Sequence, residues 1–174
     1  AGAMPYFYNH KLKSAGTPVQ PEFGAVFPFG HGLSYTAFEY ADLRLESDKV
    51  PVDGEIVVSC TVANVGGRAG SEVVQLYTRN PHASLVRPIR ELKGFGRVDL
   101  AAGEKRRVRF RLPADMLAFT TSGTARVVEP GEIELMVGRS SQDIRLRAQV
   151  TLTGEVRTLP RDWRMLCAFD VMAG

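Results

Sequence analysis

From Phe38 onward the chain is cut into short runs in which apolar and polar residues alternate, each run ended by a cluster of Gly, Pro, Asn or Asp. Period-two alternation places successive side chains on opposite faces of an extended strand. No helical run intervenes, so the apolar faces can be buried only by laying sheet on sheet. The pattern predicts an all-β sandwich of two antiparallel sheets built from roughly seven or eight strands.

The strands read as follows. Phe38, Tyr40, Leu43 and Leu45 mark the first. Ile56 to Val62 mark the second, ended by Asn64-Val65-Gly66-Gly67. Cys60 shares the buried face of that strand with Ile56, Val58 and Val62, which predicts a packed free thiol, with a bridge to Cys167 as the alternative. Glu72 to Arg79 is apolar on both faces, as a central strand should be. Asn80 to Arg90 holds Pro81 and Pro88 and lacks alternation, so it predicts a surface connection. Glu91 to Leu100 and Glu104 to Leu112 flank Ala101-Ala102-Gly103, and this spacing predicts a bulged hairpin. In its second arm Val108, Phe110 and Leu112 should point inward and Arg107, Arg109 and Arg111 outward. Shorter strands follow at Leu117 to Thr121, Ala125 to Glu129 and Ile133 to Val137, the last two joined by the turn Glu129-Pro130-Gly131-Glu132. Ile144, Leu146, Ala148, Val150 and Leu152 form the last.

With 174 residues, 44% of them hydrophobic, the chain can bury one sandwich core and carry appended segments. The division expected is 1–36, an irregular strap rich in Pro, Gly and aromatics; 37–154, the sandwich; and 155–174, an extension. Alone the strap cannot offset the entropy of ordering, so it must lean on another surface. In the extension, Trp163, Leu166, Cys167 and Asp170 recur at helical spacing behind Pro160, predicting a short helix over Arg161 to Val171. Ala1 to Met4 read as a cut or interior position, without a leader pattern. No run is long enough for a membrane span. A formal charge of +3 is too small a field to imply nucleic acid.

Phe27-Pro28-Phe29-Gly30-His31-Gly32-Leu33-Ser34-Tyr35-Thr36 resembles the segment that enters the C-terminal domain of family-three β-glucosidases and β-xylosidases. The resemblance continues through Asn64-Val65-Gly66, Glu72-Val73-Val74-Gln75-Leu76-Tyr77, Arg87-Pro88, Glu91-Leu92-Lys93-Gly94-Phe95, Val127-Val128-Glu129-Pro130-Gly131 and Val137-Gly138-Arg139-Ser140-Ser141, in order. Upstream, Pro5 to Lys11 is similar to the end of that family's preceding α/β sandwich domain. The resemblance implies a fibronectin type III-like, immunoglobulin-like sandwich. Its partners would be the catalytic barrel and α/β domains of the same enzyme, it would meet carbohydrate substrate only indirectly, and it implies no cofactor. A secreted or periplasmic parent is compatible with it. The chain departs from the family at Thr120-Thr121 and Ala125-Arg126, where relatives often carry aromatics, so no sugar-stacking role follows there.

Retaining hydrolysis of a β-glycoside needs two carboxyl groups roughly 5 Å apart across the bond, and the resemblance assigns the nucleophile to the barrel. No catalytic residue is therefore expected here. Glu39 with Asp42 and Glu129 with Glu132 are expected at strand edges and turns, as solvated carboxylates. His10, His31 and His82 sit in separate irregular segments without ligand spacing, so no metal site is expected. The row Arg107, Arg109 and Arg111, with Lys105, Arg145 and Arg147, could meet a polyanion if its strands shared one exposed sheet; otherwise it is a solvated or interdomain face. Tyr6, Tyr8, Phe27, Phe29, His31 and Tyr35 are the candidate interdomain contacts on the strap, and Arg87 and Arg90 on the 80–90 loop. Tyr6, Phe7, Tyr8, Phe27, Phe29 and Tyr35 could instead offer a platform to sugar rings.

Overall fold

The computed structural model describes residues 7–11 and 26–172. Its strands are β1 (Phe38–Leu45), β2 (Lys49–Pro51), β3 (Glu55–Asn64), β4 (Gly70–Arg79), β5 (Glu91–Leu100), β6 (Lys105–Pro113), β7 (Phe119–Thr120), β8 (Arg126–Val128), β9 (Gly131–Gly138), β10 (Ile144–Thr153), β11 (Arg157–Thr158) and β12 (Ala168–Met172). One four-stranded sheet runs β1-β3-β6-β12 and one five-stranded sheet runs β2-β10-β9-β4-β5; the short strands β11-β8-β7 form a third. Every ladder is antiparallel except β2 with β10.

β3 shows why the sequence takes this form. Its residues alternate between buried and half-buried along its whole length, with Ile56, Val58, Cys60 and Val62 inside. Val108, Phe110 and Leu112 of β6 complete that inner layer. Val74 and Leu76 of β4, Val98 and Leu100 of β5, and Ile133, Leu135 and Val137 of β9 face it from the other sheet. β4 lies between β9 and β5, as its two apolar faces required. Both cysteines are free thiols. Burial, partly offset by Arg107, pushes Cys60 up to about 12.

The hairpin expected of Glu91–Leu100 and Glu104–Leu112 does not form. β5 pairs with β4, and β6 pairs with β3 and β12, so the link at Ala101–Gly103 carries the chain from one sheet to the other. Gly103 takes a positive φ of 75° in the turn. Asn64, at the end of β3, holds this corner together. Its backbone N–H donates to Glu104 and its backbone carbonyl accepts from Gly103. Its side-chain amide donates to the carbonyls of Arg68 and Leu100, while Oδ1 accepts from Thr36 and Gly66. Alternation and a short Gly link fit an arch between sheets as well as a hairpin, which is why the pattern misled.

The helix expected over Arg161 to Val171 is also absent. Residues 161–167 are irregular, and Ala168–Met172 is β12, paired along the open edge of β6. The exposed backbone groups of β6 and the ring of Phe110 outcompete a marginal helix: Phe169 packs against Phe110 at 5.0 Å between centroids.

Candidate functional site

Of the described strap residues, Tyr8, Phe29 and Gly30 are drawn onto the outer face of β4. Gln75 is buried there because every polar atom of its side chain is used. Its Nε2 donates to the carbonyls of Gly30 and Arg139, and its Oε1 accepts from Tyr77 Oη at 2.6 Å. Gly30 has φ 80°, and a Cβ there would lie 2.1 Å from Gln75 Oε1, so this close approach demands glycine. Phe29 is fixed by its carbonyl, which accepts from the Ser141 amide at 2.8 Å. Tyr8 stacks on Phe29 at 4.0 Å and meets Tyr77 edge-on at 6.2 Å, and its hydroxyl accepts from the Leu92 amide. Tyr77 is thereby covered completely.

Beside this anchor lies a groove of about 360 Å³, lined by Phe29, Leu33, Val73 and Phe95 with Glu72 and Arg139 among its polar walls. Glu72 is buried and accepts from both Arg139 Nε and Tyr40 Oη at 2.8 Å. Its charge is answered within the chain, which leaves apolar surface to meet anything outside. Leu33 is 91% exposed and Phe95 65%.

The structure thus brings Tyr8, Phe29 and Tyr77 together, and stacks Phe27 on His31 at 5.2 Å. Tyr35 joins neither group and is 95% exposed. Tyr6 lies outside the described residues. Sequence reasoning named Gln75 and Phe95 only within matched motifs and gave neither a role at this site. The signal for Gln75 was a polar residue opposite a glycine-rich segment, which only the folded strap makes visible.

On the 80–90 loop, Arg87 donates to Glu91 at 2.8 Å and lies over the Phe119 ring. Arg90 sits near Arg79, Arg147, Glu134 and Tyr77, and burial lowers its pKa first, with Arg147 adding to the shift. The loop is held to the sandwich by Glu129, which accepts from the amide and hydroxyl of Ser84. His82 is 3.8 Å from Glu132. Lys11 bridges Pro88, and the Ile89 amide donates to the His10 carbonyl, so residues 10–11 lie alongside this loop.

The basic row divides between the sheets. Arg107, Arg109 and Arg111 lie on β6, whereas Arg145 and Arg147 lie on β10 of the other sheet. Asp170 of β12 pairs with Arg109 and Arg111, Glu134 pairs with Arg147, and Asp143 with Arg145. Arg107 donates to Ser59 and to the Asp42 carbonyl. The shared exposed sheet that a polyanion would need is not formed.

Two facing antiparallel sheets define a fibronectin type III-like domain, and that domain family matches residues 72–141. The chain is homologous to the C-terminal portion of family-three β-glucosidases and β-xylosidases and carries their fibronectin type III-like domain. Thermostable β-glucosidase B of Acetivibrio thermocellus is 42% identical over 149 residues, taking in 85% of this chain and 20% of that protein. A putative β-xylosidase of Formosa agariphila is 39% identical over 145 residues, 83% of this chain and 19% of its own. Among solved structures, β-glucosidase from Listeria innocua in complex with isofagomine superposes with a TM-score of 0.79 at 32% identity, covering 87% of this chain and 23% of that one. A β-glucosidase from Erythrobacter marinus gives 0.79 at 37% identity, covering 86% and 20%. The chain therefore spans about a fifth of the length of the relatives it matches.

Proposed function

We propose that this chain is the non-catalytic C-terminal domain of a glycoside hydrolase that cleaves terminal β-D-glycosidic bonds, in the manner of a β-glucosidase. Its work is to brace the catalytic barrel and α/β domains. In this reading residues 1–36 end the preceding domain and cross the junction, 37–154 form the sandwich, and 155–174 extend it. The observation that carries the reading is the strap: buried Gln75 pins it to β4, while Phe27, Phe29, Leu33 and Phe95 are left facing outward. Burying each such side chain contributes on the order of 2 kcal/mol, so a neighbouring domain would gain from this surface. Tyr8, His31 and Tyr35 belong to the same junction, and Arg87 and Arg90 to a second contact.

The test compares this chain with the longer polypeptide that contains it. Leu33→Ser together with Phe95→Ser should lower the Tm of the longer form by several degrees and leave that of the isolated chain nearly unchanged. Equal shifts in both would remove the bracing role. The isolated chain should show no hydrolysis of an aryl β-glucoside, and linear turnover by the pure chain would overturn the non-catalytic assignment.

A second reading rests on the groove itself. Phe29, Leu33 and Phe95 beside polar walls could seat the C–H face of a sugar ring, making the domain a carbohydrate-binding module. Retention on insoluble glucan or xylan, abolished by Phe95→Ser, would favour it over bracing. An adhesion-type sandwich would instead show dependence on a separate protein partner.

A further inference from the structure

Leu92 lines the aromatic groove, but its neighbours Glu91 and Lys93 line a different cleft, of about 580 Å³. A bulge puts Lys93 there. Leu76 lies opposite Gly94 and Tyr77 opposite Leu92, so Lys93 has no partner in the ladder. Bulges of this kind re-aim a side chain. Arg87, Arg126 and Lys11 line the same cleft, so its lining holds four cations and a single carboxylate, that of Glu91.

That carboxylate is shared. Arg87 donates to one oxygen at 2.8 Å, and Lys93 Nζ lies 3.7 Å from the other. The two cationic side chains are only 13% and 11% exposed. Arg87 Nε is buried and without an acceptor among the described residues. Burial, opposed by Glu91, lowers the pKa of Lys93. Buried donors and cations are ordinarily matched one to one, because an unmatched one forfeits its hydration. Here two share one acid, and a guanidinium fork is shaped to take a second carboxylate. Exposed Leu85 and Val86 line the cleft as well, giving an apolar surround that would shed water around a polar contact.

We infer that this cleft is a carboxylate-binding site, filled by an Asp or Glu side chain of the polypeptide that packs over the 80–90 loop. The inference rests on the reading of this chain as one domain of a longer enzyme. The apolar surround favours a protein occupant over a free anion.

The probe is sodium acetate, with sodium chloride at equal ionic strength as control. Amide NMR shifts are followed at Arg87, Glu91, Lys93 and Arg126. Fluorescence of Trp163, whose ring lies 4.5 Å from the Arg126 guanidinium, is followed in parallel. The isolated chain should respond saturably, with half-saturation below ~100 mM. Lys93→Met and Arg87→Met should each weaken the response about tenfold, and Arg97→Met, an exposed site, should not. Should Arg87→Met fail to fold by circular dichroism, Lys93→Met alone decides. No saturable response, or one indifferent to Lys93→Met, overturns the site. In the longer polypeptide the response should vanish because the cleft is filled; an undiminished response there overturns the protein occupant. Hydrolysis of an aryl β-glucoside by the longer polypeptide is scored separately. Its absence would sink the glycosidase reading and leave the acetate result standing.

Discussion

At the level of single residues, the polar groups buried in this domain act as fasteners, and Asn64 is the most heavily used. Its side chain makes four hydrogen bonds, to Thr36, Gly66, Arg68 and Leu100, which join the end of the strap to the β3–β4 turn and the end of β5. Asn64→Asp puts a carboxylate against two carbonyl oxygens, and a loss of about 3 kcal/mol in urea unfolding is expected. Asp115 acts at the far end of β6. Burial would raise its pKa, but hydrogen bonds from Arg157 and the Arg164 amide outweigh burial and hold it below its ordinary value of 3.8. A carboxyl depressed in the fold stabilises above the unfolded pKa, and that contribution fades as pH falls through the folded one. Asp115→Asn should therefore cost about 2 kcal/mol at pH 7, and the gap in Tm should close as pH drops below about 4. Burial also pushes both thiols up to about 12, so Cys60 and Cys167 should resist iodoacetamide in the native state at pH 8 and label fully in denaturant.

At the level of elements, β12 closes one side of the sandwich. Phe169 projects over Gly96 of β5, where a Cβ would meet its ring at 2.0 Å, and it packs on Phe110 of β6. One side chain thus touches both sheets. Gly96→Ala should destabilise by about 2 kcal/mol through overpacking, and Phe169→Ala by a similar amount through lost burial. Asp170→Asn removes only half-exposed ion pairs with Arg109 and Arg111, so its cost should stay below about 1 kcal/mol. Urea titrations of the three variants check the order; an Asp170 effect larger than that of Phe169 would mean that charge, not packing, holds β12.

At the level of the whole molecule, the strap and the 80–90 loop give the sandwich two unlike surfaces along one margin: an aromatic groove whose polar walls are satisfied internally, and a cleft whose cations outnumber its acids. Neither was legible as a surface beforehand, although most of their residues were. Tyr8, Phe29 and Arg87 stood out by type and motif, yet the partners that define them, Gln75, Tyr77 and Lys93, were named only inside matched motifs on strands and given no role. The strands themselves were readable because burial in a sheet is decided by position parity, a local property of the chain. That is why β3 and β10 and the inward residues of β6 agree with the pattern, whereas β1 changes parity at a bulge between Ala41 and Arg44 and β4 is buried on both faces. Which strand pairs with which is not local. β5 and β6 alternate as hairpin arms would, yet Asn64 and the turn at Gly103 send them into facing sheets, and residues with helical spacing near the end became β12 because β6 offered an open edge. Sequence alone determined the all-β class and the core-facing residues of β3, β6 and β10. Tertiary structure decided the pairing, the last strand and the composition of both clefts, because each depends on free energy gained between segments far apart in the chain.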